Sequence, residues 1–152
     1  MISDSLIVPD CIYRRGSFSG LMTIYESNYI KFLNIYPNIE LRVPIKNILV
    51  SHSDNDHDLF LTLDYEDRYT TSINLTYRLE LNDELVLDPN LNLKIYHDAK
   101  LIEANSNHTN YIHSKIKKIA NKHFKELNIK WKNNIMLNKW LDYMIDVKHR
   151  FS

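Results

Sequence analysis

Leu59-Phe60-Leu61-Thr62-Leu63-Asp64-Tyr65, and after a short gap Tyr69-Thr70-Thr71-Ser72-Ile73-Asn74-Leu75-Thr76-Tyr77-Arg78-Leu79, place a large apolar or aromatic side chain at nearly every second position. Successive side chains of an extended chain point to opposite faces, so this spacing predicts two strands with one buried face, joined by a turn near Asp67. Downstream, Leu91 to Tyr96 and Lys100 to Asn105 predict a third and a fourth strand around a tight turn at His97-Asp98-Ala99. Between the pairs, Asn82 to Asn90 is a turn-rich connection containing Pro89. Upstream, Asn38 to His57 is interrupted by Pro44 and closed by polar residues, which predicts a loop with room for one short edge strand.

On either side the period changes to that of a helix. Phe18, Leu21, Met22, Tyr25, Tyr29, Phe32, Leu33 and Tyr36 recur at i, i+3, i+4 and i+7, with Ser17 placed to cap the start and Pro37 to end the run. Ile112, Ile116, Ile119, Ala120, His123, Phe124 and Leu127 form a second stripe. Ile135, Met136, Trp140, Leu141, Met144 and Ile145 form a third, after a break near Asn128 to Asn133. Strands grouped between helices predict an α+β fold: one domain over residues 1–152, a four- to five-stranded antiparallel meander with an N-terminal and two C-terminal helices on one face. Residues 1–15 are expected to be extended or mobile.

Composition narrows the function classes. With 152 residues, 44% hydrophobic and 25% charged, the chain is expected to bury a core of ordinary size. The single cysteine, Cys11, can form neither an internal disulfide nor a multi-thiolate metal site, which fits a reducing, cytoplasmic compartment. No secretory leader or membrane span is expected. Two glycines, Gly16 and Gly20, are too few for a phosphate-cradling loop. Lys plus Arg equals Asp plus Glu at 19 each, but the distribution is uneven. His52 to Glu103 holds twelve acids and four bases, a net of −8, whereas His113 to Lys132 holds seven lysines and one glutamate, a net of +6.

Four groups of residues are candidates for function. His97 and Asp98, with Glu103 and Tyr96 nearby, offer an imidazole beside carboxylates, the pairing that general-base chemistry uses; turn formation by Asp98 is the competing account. Glu26, Asn28 and Arg68 would form a polar cluster if the first helix packs near the strand turn. Lys115, Lys118, Lys122 and Lys125 fall on one helical face and offer a phosphate site, against which stands an ordinary solvated face with no aromatic residue to stack bases. The loop His52-Ser53-Asp54-Asn55-Asp56-His57-Asp58 has oxygen and imidazole donors, yet it lacks the glycine and closing glutamate of a calcium loop and reads as solvated. No metal or other cofactor is expected.

Three segments carry a family likeness. Gly20-Leu21-Met22-Thr23-Ile24-Tyr25-Glu26-Ser27-Asn28-Tyr29 followed by Leu33 and Pro37, Arg68-Tyr69-Thr70-Thr71, and Tyr96-His97-Asp98-Ala99 with Glu103 resemble, in order and spacing, the YqiB-like family of bacterial proteins, domain of unknown function 1249. Leu137-Asn138 and Trp140-Leu141 resemble its final helix. Where that family usually carries Tyr-Pro-Asn and then Asp-Glu-Lys, this chain has Lys132-Asn133-Asn134, so a role resting on those acids does not carry over. The resemblance implies a bacterial cytoplasmic protein and supplies no activity. The expectation is a non-enzymatic binding or regulatory module for a protein or small molecule. The alternatives are a hydrolase at the His97–Asp98 turn and weak nucleic-acid or phosphate binding by the lysine stripe.

Overall fold

The alternating stretches form the centre of a five-stranded antiparallel sheet. The computed structural model describes residues 17–42, 44–45, 48–81, 84–86, 90–106 and 122–151. In chain order these give α1 (Phe18–Ile35), a 3-10 turn (Pro37–Ile39), β1 (Ile48–Ser53), β2 (Asp56–Glu66), β3 (Thr70–Tyr77), β4 (Leu79–Leu81), β5 (Glu84–Val86), β6 (Asn90–Tyr96), β7 (Leu101–Ser106) and α2 (Lys122–Asp146). The sheet order is β1-β2-β3-β6-β7, a meander from which β4 and β5 branch as a separate hairpin. The expected α+β class and antiparallel sheet are present, with the short edge strand realised as β1.

Register explains which residues are buried. Leu59 lies opposite Tyr77, Leu61 opposite Leu75 and Leu63 opposite Ile73, and the β3–β6 pairing carries the same row through Leu91, Leu93 and Ile95. A shift in pairing between Leu63 and Tyr65 ends that row, because an extra residue in one strand turns the succeeding side chains away from the core face. Tyr65, expected on the buried face, is therefore 58% exposed, and Tyr69, in the turn that precedes β3, is 56% exposed. The acidic His52–Asp58 stretch is no long loop either: Ser53 pairs with Asp56 across a two-residue turn at Asp54-Asn55, and β2 begins there.

The helices cover the apolar face. Ser17 caps α1, its Oγ accepting the Gly20 N–H at 3.1 Å, and Pro37 opens the 3-10 turn that ends it. Phe32 and Ile35 of α1, with Leu137, Leu141 and Met144 of α2, join the sheet residues in the main core. Leu21, Ile24, Tyr25, Trp131 and Ile135 form a second cluster, with Met22 and Leu101 packed against it. Phe18 is exposed, and Leu33 is only partly buried. Among the described residues no helix is long and apolar enough to cross a membrane.

One expectation fails outright. The predicted break near Asn128–Asn133, dividing two C-terminal helices, is absent, and Lys122–Asp146 is a single helix, the one C-terminal helix among the described residues. Asparagine disfavours helix interiors because its side chain competes for local backbone groups. Here Asn134 Nδ2 donates to the Lys130 carbonyl one turn back at 2.7 Å and also reaches β7, so tertiary bonding outweighs local propensity. Residues 1–15, and the 112–121 part of the lysine-rich stripe, lie outside the described residues.

α2 ends in a Schellman motif. The His149 N–H donates to the Met144 carbonyl at 2.9 Å and the Lys148 N–H to the Ile145 carbonyl at 3.1 Å, with Lys148 in the left-handed region at φ 66°, where glycine is usual. This reversal turns the last residues inward. The Phe151 N–H donates to the Ile35 carbonyl at 2.7 Å, and its ring packs edge-on to Tyr36.

Candidate functional site

Three polar groupings stand out, and the first two take up Arg68, His97, Asp98, Asn28, Tyr96 and Glu103 of the predicted residues. The first lies at the end of the sheet where the β2–β3 and β6–β7 turns meet. Asp67 organises it: its Oδ1 accepts the N–H groups of Tyr69 and Thr70, both at 2.8 Å, and its Oδ2 accepts the Tyr65 hydroxyl at 3.1 Å. Those main-chain donors hold the Asp67 carboxyl down at about 2. Arg42, itself left-handed at φ 58°, donates to the carbonyls of Asp67 and Arg68 at 3.3 and 3.1 Å. The Arg68 guanidinium lies 5.6 Å from the Tyr69 ring centre, and the His97 N–H donates to the Tyr69 carbonyl at 3.0 Å. Leu41, beside Arg42, is 73% exposed.

His97 is half-buried here, with Nε2 hydrogen-bonded to the Thr71 hydroxyl at 2.7 Å. Burial, and then the Arg42 charge, push its pKa below the ordinary histidine value, against the opposing pull of Glu66, Asp98 and Asp67. Asp98 is exposed on the turn, which Lys100 closes in the left-handed region by donating to the Tyr96 carbonyl at 2.9 Å. Arg68, His97 and Asp98 thus share one end of the sheet. Glu26, exposed on α1, has no hydrogen bond or ion pair to them among the described residues.

The second grouping runs along the β7 edge and takes Asn28, Tyr96 and Glu103. Glu103 accepts from Lys130 Nζ at 2.6 Å, the Tyr25 hydroxyl at 2.9 Å and the Tyr96 hydroxyl at 3.4 Å. Burial raises its pKa, but the Lys130 bond and charge and the Tyr25 bond outweigh that and leave it lowered. Tyr25, desolvated and facing that carboxylate, has its own pKa pushed well up. Beneath lies a ladder of amides. Asn134 bonds both main-chain groups of Ala104, Asn28 Nδ2 donates to Asn134 Oδ1 at 3.1 Å and to the Ile102 carbonyl at 3.2 Å, and Asn138 Nδ2 donates to Asn28 Oδ1 at 2.9 Å. Lys31 closes it, donating to Asn138 at 2.7 Å and pairing with Asp142 at 2.9 Å. The three asparagines are fully buried, and this arrangement is a polar seam that joins both helices to a sheet edge.

The third grouping escaped the sequence reading. Ser51 Oγ lies 2.9 Å from His149 Nδ1, and His149 Nε2 lies 2.8 Å from Asp56 Oδ2, which also accepts the Tyr77 hydroxyl. Trp140 Nε1 in turn donates to Tyr77 at 3.1 Å. A serine, histidine and aspartate in line suggest a hydrolytic triad, and burial argues against it: the Ser51 residue is 1% exposed and the His149 side chain 0%. Ser51 Oγ also accepts the Arg150 N–H at 2.8 Å, so its oxygen is already engaged by the main chain. These bonds fasten the chain end to β1, assisted by Ser53 Oγ donating to the Val147 carbonyl. Nothing local marks His149 out, because its partners lie more than 90 residues away: 98 for Ser51 and 93 for Asp56.

The His52–Asp58 stretch does not converge on one point. His52 Nδ1 bonds Asp58 at 2.7 Å, whereas Asp56 turns inward to His149. Among the described residues no group of three or more His, Cys, Asp or Glu is placed to hold a metal ion. Lys115 and Lys118 lie outside the described residues, and Lys122 and Lys125 open α2 with side chains outside them.

The model of a family described as Protein of unknown function (DUF1249) matches residues 32–150. The chain belongs to this family. The matched span contains the turn-end residues, Glu103, Asn134 and the Ser51–His149–Asp56 grouping, and it begins after Tyr25 and Asn28. No curated protein and no solved structure matches the chain.

Proposed function

We propose that this DUF1249 protein is a non-enzymatic binding module whose sheet end, built from Leu41, Arg42, Tyr65, Arg68 and Tyr69, docks a protein partner. The observation that carries the reading is that Leu41, Tyr65 and Tyr69 stay 73%, 58% and 56% exposed beside two arginines, on a turn held by the Asp67 and Arg42 hydrogen bonds. Tyrosine and arginine supply most anchor residues of protein interfaces, and a pre-ordered turn loses little entropy on binding. A left-handed Arg42 retained at an exposed turn fits a site where backbone strain serves recognition.

The hydrolase alternative at His97 and Asp98 draws less support. His97 is bonded to Thr71 and lowered in basicity, and Asp98 stands in solvent on the turn. The same reading takes the protein to be a bacterial, cytoplasmic, YqiB-like one; its support is the Tyr96-His97-Asp98-Ala99 segment and the single Cys11.

The test is photo-crosslinking in cells from a benzophenone side chain at position 69, with position 30, an exposed site on α1, as the control. A discrete adduct at 69, absent at 30 and weakened about tenfold or more by Tyr65→Ala with Arg68→Ala, is the expected result. Matching adducts at both positions, or none at 69, would overturn the reading.

A further inference from the structure

We draw no further inference here: the strongest candidate, the Trp131 indole N–H, buried in the second core cluster with Tyr25 and without a hydrogen-bond partner among the described residues, carries nothing, because nothing in the structure shows what stands opposite it.

Discussion

Asn134 stands in for a sixth strand beside Ala104. Its Oδ1 accepts the Ala104 N–H at 2.8 Å, and its Nδ2 donates to the Ala104 carbonyl at 3.3 Å, the pair of bonds that a neighbouring strand would otherwise make. An edge strand thereby becomes part of a helix–sheet joint. Because Asn28 and Asn138 continue the same chain of bonds, the joint is cooperative.

Replacing Asn134 by Leu should therefore destabilise the protein by about 2–4 kcal/mol, since two main-chain groups and Asn28 lose partners in a buried site. Urea unfolding monitored by tryptophan fluorescence reads this directly. In a double-mutant cycle with Asn28→Ala, the two effects should fall short of additivity by about 1 kcal/mol or more, as expected within one network. Additivity within about 0.3 kcal/mol would show that the two asparagines act separately.

Asp56 sets an acid limit on the fastened chain end. Burial raises its pKa, but the hydrogen bonds from Tyr77 and His149 outweigh burial and leave it below the ordinary value of 3.8. A carboxyl depressed in the folded state stabilises fully above its unfolded pKa and loses that contribution as pH falls through the folded one. Unfolding free energy should drop as pH is lowered from about 4, and the drop should be shallower in Asp56→Asn. Identical pH profiles for the two proteins would show that Asp56 is not linked to folding.

Lys148 is a position where a single change should stabilise. A side chain at φ 66° sits in the left-handed region at a cost of about 1 kcal/mol, and glycine removes that crowding. Lys148→Gly is expected to raise stability by about 0.5–1 kcal/mol, seen as a higher urea midpoint with unchanged slope. A lower midpoint would mean that the lysine side chain makes a contribution beyond its backbone.

Phe32 and Leu33 are neighbours on α1 with different roles. Phe32 is 0% exposed in the main core, whereas Leu33 packs against it from a partly buried position. Truncation to alanine should cost about 3–5 kcal/mol at Phe32 and less than about 2 kcal/mol at Leu33. Equal losses would place the helix differently on the sheet.

Short-range periodicity determined much of this architecture. The alternation from Leu59 to Tyr77, the i to i+4 stripe of α1, the Ser17 cap, the Pro37 stop and the turn after Tyr96 are each set by residues within a few positions of one another, where backbone geometry alone dictates the outcome. Tertiary structure decided the rest. Asn128 to Asn133 has the composition of a break and is helix, because Asn134, the next residue, found partners on β7. Asn28 and Glu103 belong to one seam, while Arg68, His97 and Asp98 gather at the turns that end the strands and Glu26 stands apart. The joining of His149 to Ser51, across 98 positions, leaves no local trace at all. A buried polar group needs a partner wherever the fold supplies one, so such pairings depend on which distant segments are packed together and not on spacing along the chain.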